Sequence, residues 1–188
     1  MQLSKDSLKN ITPREGLFIP SAAELELPEK VLQFGTGVLL RGLPDFFIDV
    51  ANKQGVFNGR VVVVKSTDHG NTDAFTDQDG LYTQCVRGIS NGKQVEEYHI
   101  NASISRVLSA KQEWNAILKC AESAAMQVII SNTTEVGITL TQDDVKATPP
   151  SSFPGKLVAF LLHRYTFFNG AADKGMVIVP TEIGRAHV

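Results

Sequence analysis

Cysteine is scarce in this chain. Its two cysteines among 188 residues, Cys85 and Cys120, lie far apart and lack metal-ligand spacing. That excludes a disulfide-stapled secreted scaffold; buried, reduced thiols in a cytosolic protein are the expectation. Long apolar runs are lacking too, none approaching the roughly 18 residues expected of a membrane span. The first residues, MQLSKDSLKN, hold no apolar core of an export signal, so a cytoplasmic location is expected. There is no excess of one charge. The net charge is −2 and the basic residues are scattered, which gives no electrostatic footprint for nucleic acid. No internal repeat or low-complexity tract occurs. With 43% hydrophobic and 20% charged residues, the chain is able to bury one sizeable core.

The most informative stretch is Lys30 to Asp49, KVLQFGTGVLLRGLPDFFID. A short apolar run ends at Phe34, breaks at Gly35-Thr36-Gly37, and gives way to apolar residues at helical spacing. Strand, glycine turn and helix start, in that order, build a site for the phosphates of a dinucleotide. Gly35 permits the tight turn, and Gly37 lets the main chain approach a pyrophosphate with no Cβ in the way. Amides opening the next segment, at Val38 and Leu39, then point at the anion. The fingerprint is partial: its third glycine position is Leu40, and Gly42 comes two residues later. A plain strand-to-helix turn remains the alternative at this point.

Val38 to Gln54 reads as a helix with Leu39, Leu43, Phe46, Phe47 and Val50 on one side. Its regular part is expected near Leu43 or Pro44, with Gly55 as terminator. Val61 to Val64 is an unbroken β-branched run, suited to a parallel strand buried on both faces. The segment from Lys65 to Gly80 reads as loop. In a dinucleotide fold the end of this second strand reads the adenosine ribose. Here that place is shared by Lys65, Ser66, Thr67 and Asp68, and a solvated loop charge is an equal reading for Lys65. Leu81–Arg87 and Gln94–Ile100 are expected to pair as an inserted β-hairpin around Asn91-Gly92. Ala110 to Ala125 reads as helix and Gln127 to Ser131 as a buried strand.

Loops at the carboxyl ends of parallel strands hold ligands in α/β sheets. Asn132 and Thr133 are therefore better cofactor contacts than any histidine. Pro154 opens a helix reaching Phe168, in which Lys156, Ala159 and His163 share a stripe opposite a wide apolar side. His163 is read as a surface histidine, and His69 and His99 are assigned no role. Met176 to Pro180 is the next strand. The expected class is α/β, a Rossmann-type, mostly parallel sheet with flanking helices, behind a polar lead-in over residues 1–29. In that lead-in Pro13, Pro20 and Pro28 are expected to interrupt any regular element. Residues 183–188, IGRAHV, back-translate to ATC GGA AGA GCA CAC GTC, part of a common sequencing adapter whose next triplet is a stop. They are expected to be read-through, with Glu182 partly so. That leaves residues 30–182 as a truncated dinucleotide-binding domain.

FGTGVLLRG, TDQDGLYTQCVRG, SNTTEVGI and VIVPTE resemble successive blocks of the tagaturonate reductases (altronate oxidoreductases). These are a branch of the polyol-specific long-chain dehydrogenase family, which also holds mannitol dehydrogenase and fructuronate reductase. The similarity runs from about Lys30 to Thr181. SNTTEVGI discriminates best, since mannitol-type members carry a TEKGY-like version and Val136 replaces its lysine here. The resemblance implies a Rossmann-type domain followed by a largely helical C-terminal domain, with NAD between them. It implies metal-independent hydride transfer between the nicotinamide and a sugar-acid carbonyl. It implies that Gly35 and Gly37 form the phosphate turn and that Asn132 and Thr133 sit on the nicotinamide side. The family's catalytic lysine, asparagine and histidine lie in the C-terminal domain, so this chain is expected to hold no catalytic residue.

Overall fold

The computed structural model describes residues 2–65, 73–134 and 136–182. In order, the elements begin with α1 (Lys5–Leu8), β1 (Leu17–Phe18), α2 (Ala22–Leu25), β2 (Glu29–Phe34) and α3 (Val38–Gly42). Next come α4 (Pro44–Lys53), β3 (Arg60–Lys65), α5 (Asp73–Asp77), β4 (Tyr82–Ser90) and β5 (Lys93–Asn101). The remainder are β6 (Ile104–Ser109), α6 (Trp114–Ala121), β7 (Val128–Ser131), α7 (Phe153–Phe167), a 3₁₀ turn (Ala172–Lys174) and β8 (Val177–Pro180). They divide into two compact units. One holds residues 1–29, 38–61 and 71–107, the other residues 30–37, 62–70 and 108–188.

Five strands form a sheet of order β6-β3-β2-β7-β8. β2 pairs in parallel with β7, Val31 opposite Val128, and β7 in parallel with β8, Val128 opposite Val177. From Arg60 to Val64 every residue of β3 is buried, as its β-branched run demands. Leu32, Phe34, Val62, Val64 and Ile129 pack with Trp114, Ile117 and Ala121 of α6 and Phe160 of α7. The architecture is the Rossmann-type, mostly parallel α/β class.

α7 sits the opposite way round from its sequence pattern. Lys156, Ala159, Phe160 and Arg164 are buried, whereas Val158, Leu162, Tyr165 and Phe167 are exposed. The buried cations earn their place through backbone carbonyls. Arg164 donates to those of Ala121, Ser123, Met126 and Lys174 at 2.6–3.0 Å. Lys156 Nζ donates to the Ser151 carbonyl at 2.7 Å. His163 stays at the surface, its Nε2 3.0 Å from Glu122.

The first unit carries the hairpin. β4 and β5 pair antiparallel from Tyr82–Asn101 to Ser90–Lys93, so both strands run on to a two-residue turn. Asn91 and Gly92 have φ of +52° and +74°, as a type I′ turn requires. The lead-in is more ordered than its prolines suggest. Capping boxes at Ser4/Ser7 and Ser21/Glu24 start α1 and α2, and β1 pairs in parallel with β5. Pro13, Pro20 and Pro28 all fall in connections. Leu8 joins Leu81, Ile100 and Ala102 in a small core flanked by Leu17 and Leu25.

α4 starts at Pro44, as its proline indicates, but it too is inverted. It buries Asp45, Asp49 and Asn52 while Phe47 remains 59% exposed. The reason is local backbone. Asp49 Oδ1 accepts from the Ala102 N–H at 2.9 Å, and Asn101 Nδ2 donates to the Asp45 carbonyl at 3.1 Å. Asn52 brackets Gly59, donating to its carbonyl and accepting from its N–H. Two smaller expectations also fail: Asp73–Asp77 is a short helix rather than loop, and Cys85 is exposed, although Cys120 is buried as expected. β6 was not anticipated.

Asp49→Ala should therefore destabilise the chain by about 1–3 kcal/mol, because the Ala102 N–H is left buried and unpaired. Phe47→Ser should change stability by no more than about 0.5 kcal/mol. Urea unfolding of both variants checks this; the reverse order would restore the amphipathic reading of α4.

Candidate functional site

β2 lies centrally in the sheet, and the chain leaves it twice. The strands β3 and β6 build on one side, and β7 and β8 on the other. The carboxyl ends of β2 and β7 therefore flank a topological switch point, where open α/β sheets leave a crevice for ligands. A cavity of about 310 Å³ opens there. Phe34, Gly35 and Thr36 at the end of β2 line it, together with Lys65 at the end of β3. Asn132, Thr133 and Thr134 after β7 and Phe153 at the start of α7 complete the lining. The volume is at the low end of small-molecule sites, enough for part of a dinucleotide.

Each wall has a local cause. Gly35 has φ +123°, a backbone region that only glycine enters without strain. Its N–H donates to the Val64 carbonyl at 3.0 Å, so Gly35 shapes the turn and does not offer this amide to a ligand. At Gly37 a Cβ would meet nothing within 4 Å, which leaves open space beside the main chain. Asn132 is fixed by its N–H to the Phe34 carbonyl at 3.2 Å and by Nδ2 to the Thr181 carbonyl at 3.0 Å. Its Oδ1 remains to accept. Thr181 in turn donates both its N–H and its hydroxyl to the Ser131 carbonyl. Phe34 and Phe153 meet edge to face, with centroids 5.3 Å apart, and form the apolar wall.

The wall from α7 is held by a carboxylate. Asp143 accepts from the hydroxyl and N–H of Ser152 and from those of Ser151 at 2.7–3.0 Å. The Ser152 hydroxyl, followed by these other donors, holds the Asp143 carboxyl well below the usual carboxylate range. Burial lowers the Lys156 ammonium, and Asp143 partly offsets this.

Of the residues picked out in the sequence, Gly35, Thr36, Asn132 and Thr133 are brought together in one cavity. Gly37, Val38 and Leu39 are not among the described lining residues; Val38 and Leu39 open α3 in the first unit and are 74% and 50% exposed. Asp68 lies outside the described residues, as do Ser66, Thr67 and residues 183–188. Lys65, read as an open choice, does line the cavity. Phe34, Thr134 and Phe153 were not anticipated. Phe34, directly before Gly35, was the one with a signal. No helix among the described residues is long and apolar enough to cross a membrane.

No family model matches the chain. It is 45% identical over 160 residues to altronate oxidoreductase of Halalkalibacterium halodurans, and 42% identical over 159 residues to that of Bacillus subtilis. Each match covers 84% of this chain. The chain is homologous to altronate oxidoreductase. It spans only about a third of the length of these relatives, 31% and 33% respectively. Among solved structures, Pseudomonas fluorescens mannitol 2-dehydrogenase in complex with NAD and D-mannitol aligns over 97% of this chain with a TM-score of 0.77. A D-sorbitol dehydrogenase aligns over 96% with a TM-score of 0.75. The chain covers 39% of each at 18% identity, a likeness of fold.

The Asp143 geometry gives a pH prediction. A carboxyl whose folded pKa is depressed stabilises the fold above its unfolded value, about 3.9, and that stability is lost as the pH falls towards the depressed value. The melting temperature of Asp143→Asn should therefore lie below wild type by a constant margin above about pH 5, and the margin should narrow below about pH 4. A margin independent of pH would show that the serine contacts do not depend on the carboxylate charge.

Proposed function

We propose that this chain is the NAD(H)-binding part of an oxidoreductase that interconverts D-tagaturonate and D-altronate in hexuronate catabolism, in the cytoplasm. The observation that carries the reading is the switch-point cavity, formed by a glycine turn and a polar strand-end loop in a chain 45% identical to an altronate oxidoreductase. The donor set fits a dinucleotide. Open space at Gly37 admits a pyrophosphate beside the main chain, Asn132 and Thr133 offer polar groups, and Phe34 and Phe153 keep one wall dry. When bound, NAD supplies the hydride chemistry. The chain's own residues bind the cofactor, orient it and exclude water from one side. Proton transfer and recognition of the sugar acid belong to the remainder of a full-length enzyme, without metal, so we assign no catalytic residue here. In that scheme residues 30–182 form the cofactor domain, with residues 1–29 leading in.

The surface agrees with a partner domain from the same polypeptide. Val177, Ile178 and Val179 of β8 are exposed, as are Leu162, Tyr165 and Phe167 of α7. Exposed apolar side chains of this kind suit an interaction face. The likeness to a mannitol 2-dehydrogenase favours one second reading, a polyol or fructuronate substrate on the same cofactor site.

Isothermal titration of NADH into the chain and into Gly37→Val tests the cofactor reading. The valine should abolish binding and leave circular dichroism unchanged, because its Cβ meets open space. Equal affinity would end the assignment. The substrate is tested by extending the chain with the corresponding remainder of the Halalkalibacterium enzyme and following NADH oxidation on tagaturonate, fructuronate and fructose. Turnover on tagaturonate by the extended protein alone is expected. Preference for fructuronate or fructose would keep the cofactor site and replace the substrate.

A further inference from the structure

We propose that Lys65 is the phosphate-binding residue of the switch-point cavity, its ammonium taking a phosphate group of an adenine dinucleotide. The inference rests on the dinucleotide reading and supplies a counter-charge that the glycine turn lacks. Lys65 directly follows Val64, whose carbonyl accepts the Gly35 N–H at 3.0 Å, so the backbone places Lys65 beside the glycine turn. It lines the cavity with Gly35, Thr36 and Asn132, and it carries the only formal charge among the described lining residues. The other sources of positive potential are weak. The Gly35 N–H is already spent, and α3 has five residues, too few to build a large helix dipole. A phosphate leaving water for a half-apolar cavity needs a charged donor, and lysine serves as a point charge for it.

Two phosphates share this chemistry. The pyrophosphate is common to NADH and NADPH, whereas the ribose 2′-phosphate, which the end of the second strand reads, belongs to NADPH alone. The test titrates NADH, NADPH and adenosine into the wild-type chain, Lys65→Met and Lys65→Arg, with circular dichroism of each. Lys65→Met should weaken cofactor binding about ten- to a hundredfold. Lys65→Arg should stay within about threefold of wild type, and adenosine binding should not change. Weakening of both cofactors assigns the pyrophosphate; weakening of NADPH alone assigns the 2′-phosphate. Unchanged affinity of Lys65→Met for both cofactors would overturn the proposal. So would a parallel loss of adenosine binding, which reports a damaged cavity. A wild-type chain that binds neither cofactor refutes the dinucleotide reading itself, and this inference with it.

Discussion

A buried backbone group that finds no partner costs as much as a lost hydrogen bond, and that constraint governs how this chain packs outside its strands. Arg164 satisfies four carbonyls around the end of α6 and the approach to β8. Arg60 does the same in the first unit, donating to the carbonyls of Leu25, Ala102 and Ile104. Asp49 and Asn52 complete the set from α4. Burial lowers both guanidinium pKa values, yet arginine keeps its charge in proteins and presents several donors in one plane. Each therefore closes several orphan carbonyls at one desolvation cost. The same constraint makes these positions intolerant: an apolar substitute of similar volume would leave three or four carbonyls unmet.

The site inherits its shape from this arrangement. Lys30 accepts from the Gln127 N–H at 2.8 Å, which brings the chain into register at the start of β7. Arg164 meanwhile fixes the carbonyls of Ser123 and Met126 just upstream. With the entry to β7 held, its exit is held too: Ser131 stands opposite Phe34, and the Asn132 N–H just beyond it bonds the Phe34 carbonyl. The cavity is the gap that the reversal of strand order leaves, and its lining follows from register.

How much of this was legible follows from which forces sequence patterns record. The β-branched run of β3, the glycine turn, Pro44 and Asn91-Gly92 were readable because each acts through its own backbone preference. The facing of α4 and α7 was not. A hydrophobic pattern says which side chains prefer to leave water, and says nothing of carbonyls elsewhere that need donors. Lys156, on the stripe opposite the apolar side of its helix, therefore looked like a solvent-facing residue, while Phe47 looked like core. The lead-in misled for a related reason. Its prolines are conspicuous, but they sit in connections, and the capping boxes at Ser4 and Ser21 decide the helices. Lys65 could not be settled from sequence, since a strand-end lysine faces solvent or a cavity according to neighbours distant in the chain.

β8 carries the last link between fold and site. Val177 and Thr181 send their N–H groups inward, to Gln127 and Ser131. With a period of two, Val179 points its main chain the same way, and Ile178 and Pro180 point theirs outward. Pro180 thus sits where its missing N–H costs no ladder bond, as a proline in an edge strand should. Just beyond it, the Thr181 hydroxyl bonds the Ser131 carbonyl, and the Thr181 carbonyl receives the Asn132 amide. One rim of the cavity is therefore pinned to an exposed edge strand. That edge is poor in outward donors and rich in apolar side chains, so packing against its faces, more than strand addition, is the natural way to stiffen it. Such packing would restrict Thr181, and through its bond to the Asn132 amide it would restrict Asn132 in the cavity wall. Cover over β8 would in this way also steady one wall of the cavity.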